Sequence, residues 1–139
     1  MMTKTAPRAD KIVRSEEEWR KSLTPQQFNI LRREGTEPAF QNKYWDTHVE
    51  GTYVCAGCRL PLFSSKDKFD SGTGWPSFAV PIAGDVVENE PDTRFGMRRT
   101  SVKCARCGGH LGHVFDDGPR PAGTRYCMNS GSLDFVPKD

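Results

Sequence analysis

Four of the chain's five cysteines fall into two matching turns, Cys55-Ala56-Gly57-Cys58 and Cys104-Ala105-Arg106-Cys107, with 45 residues between them. A Cys-x-x-Cys turn brings two thiolates to one side of the backbone. Two such turns complete a tetrahedral, all-sulfur site of the kind zinc favours. Sulfur at every position leaves no open coordination place, so the metal would be structural, with Cys55, Cys58, Cys104 and Cys107 as its ligands. The long gap means that it ties distant strands together. An iron–sulfur group or a redox dithiol is the alternative, but two alike turns in so short a chain favour zinc. Gly57 and Gly108 stand where the backbone of each turn is expected to bend most tightly.

Cys127, in Arg125-Tyr126-Cys127-Met128-Asn129, belongs to neither pair. A lone cysteine is often a buried, inert thiol. Its surroundings in the chain suggest more. Two of the three histidines, His110 and His113, lie three apart in GGHLGHVFDDG. They could be metal ligands or solvated loop residues. They could also form a Cys/His pair, in which an imidazole stabilises the thiolate or donates a proton to a leaving oxygen. Arg125 would share a strand face with Cys127, where its charge is expected to lower the thiol pKa. Trp75, set among glycines in SGTGWPSF, either caps a sheet edge or walls an apolar pocket.

These residues need elements to position them. Ser15-x-x-Glu18 and Thr24-Pro25-Gln26-Gln27 are two capping-box signals, predicting a short helix through Trp19 to Leu23 and a second one burying Phe28, Leu31 and Ile30. Gly35 is the expected stop. After Tyr44 helical periodicity vanishes. Short β-prone pieces (TYVC, PLFSS, WPSF, VVE, TRFGMRRTSVKC, GHVF, TRYCMN, LDFV) alternate with Gly, Pro, Asp and Asn. Phe95 and Met97 alternate with Arg94, Gly96 and Arg98 as in a half-exposed strand. The pattern predicts a mainly β fold of antiparallel sheets with short N-terminal helices. Residues 1–14 read as a loose tail and 15–137 as one domain, with a helical segment over 15–46 and a zinc-bound β core over 47–137.

Twenty basic residues against eighteen acidic ones give a net charge of +2, too balanced to argue for nucleic acid. No apolar run approaches a membrane span and no apolar leader opens the chain, so a reducing, cytoplasmic setting is expected. There, paired cysteines are more often ligands or catalysts than disulfides.

Three blocks, CAGCRLPLFSSKDKFDSGTGWPSF, VKCARCGGHLGHVFDDGP and RYCMNSGSLDF, resemble the type B methionine sulfoxide reductases over about Ser15 to Val136. The resemblance implies two antiparallel sheets arranged like a tent, with a structural zinc opposite the active site. It implies reduction of the R epimer of methionine sulfoxide in proteins or peptides, a repair reaction. It makes Cys127 the nucleophile, with His110 and His113 binding and protonating the sulfoxide oxygen. Asn129 lines the same pocket, and Trp75 packs on the substrate methyl. Arg125 and Asp117 become an ion-paired support around Cys127 and His113. Thioredoxin, or glutathione with glutaredoxin, would be the reductant. A monomer is the default.

Many members of that family carry a second, resolving cysteine in the loop that here reads DSGTGW, where Thr73 stands. With four cysteines on zinc no thiol remains to pair with Cys127, so an external thiol is expected to regenerate it. Two rival readings are binding modules on the same zinc fold. One takes nucleic acid through Arg94, Arg98, Arg99, Lys103 and Arg106. The other takes a small ligand in a cage around Trp75.

Overall fold

Both capping boxes form. In the computed structural model, which describes residues 11–93 and 99–138, Ser15 Oγ accepts from the Glu18 N–H and the Glu18 carboxylate accepts from the Ser15 N–H. They open α1, Glu16–Ser22. Thr24 and Gln27 exchange the same pair of bonds at the start of α2, Pro25–Arg33, with Pro25 in its first turn. Each cap satisfies N–H groups that have no partner within the helix. Trp19 on α1 and Phe28, Ile30 and Leu31 on α2 are buried. The residue in the left-handed conformation at the end of α2 is Glu34 (φ 56°), not Gly35. Gly35 is pressed against Asn29 instead: a Cβ there would lie 2.1 Å from Asn29 Nδ2. Beyond Arg33 the expected helical segment gives way to turns until the first strand.

Among the described residues nine strands follow: β1 Gly51–Cys55, β2 Pro61–Ser64, β3 Lys68–Phe69, β4 Ser77–Phe78, β5 Val87–Asp92, β6 Arg99–Cys104, β7 His110–Phe115, β8 Arg125–Met128 and β9 Leu133–Pro137. They form two antiparallel sheets, a small one in the order β2-β1-β9 and a large one in the order β3-β4-β8-β7-β6-β5. The mainly β, two-sheet architecture is the one predicted. The first ten residues of the expected tail and the expected alternation over 94–98 lie outside the described residues.

An aromatic cluster joins the sheets. Phe63 of β2 stacks on Phe78 of β4 at 4.5 Å, and Tyr53 of β1 meets Phe78 edge-on at 5.1 Å. All three rings are fully buried. Such pairs contribute roughly 0.5–1.5 kcal/mol each beyond the apolar area they bury. Val102, Tyr126 and Met128 pack on this core from the large sheet. Alternation along each strand therefore sends the residues between them to the opposite face, and that face carries the chemistry.

Candidate active site and metal centre

The two cysteine turns meet at the ends of β1 and β6. The four Sγ atoms lie within 4.8 Å of one another, with Cys55 to Cys107 at 3.7 Å and Cys58 to Cys104 at 3.5 Å. Four sulfurs about 2.3 Å from a tetrahedral zinc would stand about 3.8 Å apart, so the spacing fits the ion. Hydrogen bonding to the Cys104 and Cys107 thiols, together with burial, holds Cys55 well above the ordinary thiol range. A cation is what allows four crowded sulfurs to be thiolates together. The backbone turns alike in both places: Arg59 N–H donates to the Cys55 carbonyl (2.9 Å) and Gly108 N–H to the Cys104 carbonyl (2.8 Å). Gly108 has the expected positive φ (75°). In the first turn the matching residue is Arg59 (φ 70°), and Gly57 is instead the close neighbour of Trp19. Arg32 of α2 donates to the Cys107 carbonyl (2.9 Å) and lies over the Trp19 ring, so the helices brace this centre.

Cys127 lies elsewhere, half-buried on β8, between Ser77 of β4 on one side and His113 of β7 on the other. It lines a cleft of about 400 Å³ together with Trp75, His110, His113 and Asn129, and none of the four clustered cysteines reaches that cleft. His110 and His113 are three apart and should point to opposite faces of a regular strand. A bulge removes the conflict. Val102 pairs with Gly112 and Lys103 with His110, so Leu111 is an extra residue in β7. Both imidazoles then face the cleft, with ring centres 5.4 Å apart. The Leu111 carbonyl that the bulge frees accepts from the Asn129 N–H (2.8 Å), which seats Asn129 beside the histidines.

Each histidine has a partner. His110 is buried, and its Nδ1 meets Ser101 Oγ at 3.2 Å. His113 Nε2 lies 2.8 Å from Asp92 Oδ2, a carboxylate that is itself buried and also pairs with Arg99 at 3.6 Å. The expected support by Asp117 is therefore corrected in part. Asp117 does ion-pair with Arg125, Nε to Oδ1 at 2.8 Å and Nη2 to Oδ2 at 3.1 Å, but the carboxylate on His113 is Asp92. Arg125 spreads over the Phe115 ring at 4.3 Å and holds the Asp117 carboxyl below its usual range. Neither Arg125 nor Asp117 lines the cleft.

The electrostatics of Cys127 also differ from expectation. Burial pushes the thiol up. Thr73, whose Oγ1 lies 3.8 Å from Sγ, then the charge of Arg125, then Ser77 all pull it down, and burial wins. Arg125 acts in the predicted direction but does not set the sign. Burial thus favours the neutral form of Cys127 over the thiolate, in a cleft that it shares with two imidazoles.

Trp75 is half-buried, and its Nε1 donates to the Glu37 carbonyl (2.9 Å), which leaves a ring face for the cleft. Two of the basic residues weighed for nucleic acid are paired: Lys103 with Glu90 at 3.0 Å and Arg99 with Asp92. Among the described residues no helix is long and apolar enough to cross a membrane.

A family model of the SelR domain matches residues 23–137. A peptide methionine sulfoxide reductase MsrB of Thiobacillus denitrificans is 56% identical over 126 residues, covering 91% of this chain and 96% of its own. One from Bradyrhizobium diazoefficiens is 53% identical over 135 residues, 97% of each chain. One from Pseudomonas fluorescens is 54% identical over 130 residues, 94% of this chain and 99% of its own. The chain belongs to the SelR-domain MsrB family of methionine sulfoxide reductases.

Within this MsrB chain, sequence reasoning missed Asp92, Ser101, Ser77 and Glu37. None carries a local signal. Asp92 and His113 are 21 positions apart and meet because β5, β6 and β7 are consecutive in the large sheet.

Proposed function

We propose that the protein reduces the R epimer of methionine sulfoxide in peptides or proteins, with Cys127 as the nucleophile. The observation that supports this reading most is the convergence of Cys127, His110, His113, Asn129 and Trp75 on one cleft from three separate stretches of chain. The substrate's methyl group packs on Trp75 and its oxygen points to the histidines, so that the sulfur faces Cys127. A sulfoxide sulfur is chiral, and one hand alone meets all three conditions.

The Cys127 thiol gives up its proton as its sulfur attacks the sulfoxide sulfur. The S–O bond breaks and the oxygen is protonated, a step that His113 assists while Asp92 holds its ring. Water then attacks the Cys127 sulfur of the resulting S–S-bonded sulfonium, the S–S bond breaks as methionine leaves with its electron pair, and Cys127 is left as sulfenic acid. The sulfoxide has been reduced by two electrons and the thiol oxidised by two. An external thiol such as thioredoxin then attacks that sulfenic acid and releases water, and a second thiol frees Cys127 as a disulfide forms on the reductant. Thr73 stands beside Cys127 where a resolving thiol would serve, and a hydroxyl cannot take that part. Cys55, Cys58, Cys104 and Cys107 hold a structural zinc, which fixes the start of β7 and supplies no step of the reaction. The unit is residues 15–137, working as a monomer in the cytoplasm.

The test is an epimer-resolved assay. An R/S mixture of a methionine sulfoxide peptide is incubated with dithiothreitol and separated by chromatography. Selective loss of the R epimer, absent in Cys127→Ser, is expected. Loss of neither epimer in folded, metal-loaded protein would sink the reading. Mass spectrometry after one turnover without reductant should show one added oxygen; an intramolecular disulfide would defeat the external-thiol step.

A further inference from the structure

The stretch from Thr36 to Tyr44 has neither helix nor strand, yet it is bonded in two directions. On one side is the loop of Gly74 and Trp75. Trp75 Nε1 donates to the Glu37 carbonyl (2.9 Å), and the Phe40 N–H and Asn42 Nδ2 both donate to the Gly74 carbonyl at 2.8 Å. On the other side is the turn from Asn129 to Gly131. Thr36 Oγ1 donates to Asn129 Oδ1 (3.2 Å), and the Glu37 carboxylate accepts from the backbone N–H groups of Ser130 and Gly131. Ser130 Oγ donates to Asn42 Oδ1 (2.6 Å) and accepts from the Tyr44 N–H (2.9 Å).

Glu37 and Asn42 each bridge both sides independently. Glu37 is 4% exposed, so its carboxylate is committed to these bonds. The arrangement is also held against local preference. Phe40 has a φ of 62°, a region that residues other than glycine seldom occupy, and the residue is 52% exposed. Gly74 (φ 89°) lies so close that a Cβ on it would stand 2.7 Å from the Phe40 nitrogen. A backbone kept in such a state by its surroundings points to a function for that state.

We propose that the Thr36–Tyr44 segment is a strap that sets the width of the substrate cleft, with Glu37 and Asn42 as positioning residues that fix Trp75 relative to Asn129. The inference rests on the functional reading above. Trp75 and Asn129 come from different strands' ends, and the strap is bonded to both. Discrimination between two hands of one small pyramidal group depends on that spacing, because a small displacement lets the wrong hand seat its methyl group.

The test uses the full chain. Glu37→Gln removes one of the two acceptors, and Thr36→Val removes the bond to Asn129 at constant shape. KM and kcat for the R and S epimers are measured, with the pH profile of Cys127 alkylation by iodoacetamide. The thiol's own partners, Thr73, Ser77 and Arg125, lie off the strap. The expected result is a rise in KM for the R epimer of about tenfold with kcat within about threefold, and a narrowed R/S ratio. The alkylation profile stays unmoved, and Thr36→Ser recovers most of the lost affinity. A KM within twofold of the starting protein in both variants, or an altered alkylation profile, overturns the strap. If Glu37→Gln does not fold, Thr36→Val against Thr36→Ser decides. A starting protein that reduces neither epimer overturns the functional reading; an active one whose variants keep its KM overturns the strap alone.

Discussion

The molecule holds one side chain in two environments. Four cysteines are crowded so closely that their sulfurs are each other's neighbours, and the fifth is surrounded by hydroxyls, imidazoles and an indole. Side-chain chemistry is the same in both places. What differs is what else can take the charge. In the cluster a metal ion could, which would make those sulfurs ligands and quench their reactivity. At Cys127 burial disfavours the thiolate, and the proposed mechanism gives the neighbouring imidazoles the task of moving protons when a substrate arrives. A cysteine's role is thus decided by its second neighbours more than by its own exposure.

Substitutions can break this contrast from either side. The largest effect should come from Cys104→Ser. A structural zinc site contributes roughly 10–16 kcal/mol in small zinc peptides, comparable to the whole stability of a domain, about 5–15 kcal/mol. The variant should show no cooperative thermal transition by circular dichroism, and no activity. Cys127→Ser should lower sulfoxide reduction by at least about a thousandfold and shift the melting temperature by no more than about 3 °C. If instead the two variants unfold alike, the division of labour between the cysteines is wrong.

Smaller changes sharpen the contrast. Asp92→Asn keeps the shape beside His113 but removes the charge that orients and supports the imidazole. It should cut kcat about ten- to a hundredfold, with Cys127 alkylation unaffected. The smallest effect belongs to pH. Because burial raises the Cys127 pKa, the thiolate forms late, and the iodoacetamide rate should climb to a midpoint above the ordinary thiol value of about 8.5. Arg125 favours the charged form, so Arg125→Met should move that midpoint further to alkaline pH. A midpoint that falls, or stays, would show that Arg125 has no hold on the thiol.

Much of the architecture was legible because its signals are local. Ser15 with Glu18 and Thr24 with Gln27 announce both helices within four residues each. The cysteine turns reveal their own pairing by being alike. The strand pieces are bounded by turn residues, and each of those falling wholly among the described residues contributes to a strand. The candidate site was legible as a set of residue types but not as a geometry. That His110 and His113 face one way depends on an unpaired Leu111, which nothing in GGHLGHVF announces. That Asp92 is the carboxylate on His113 depends on the order of β5, β6 and β7. The sign of the Cys127 shift depends on how deeply β8 is covered, which a nearby arginine in sequence does not tell.

The extra residue in β7 has a consequence for how this chain tolerates change. A strand is a two-state sequence of faces, and Leu111 acts as a half-period phase shift between Cys107 and His113. Replacing its side chain alters packing alone. Removing it would close the bulge and leave His110 and His113 two apart, still on one face, but would take away a fully buried side chain and the carbonyl that accepts from Asn129. The segment therefore behaves like a spliced insert: one extra residue adds a buried side chain and a backbone acceptor while both histidines keep the face they present.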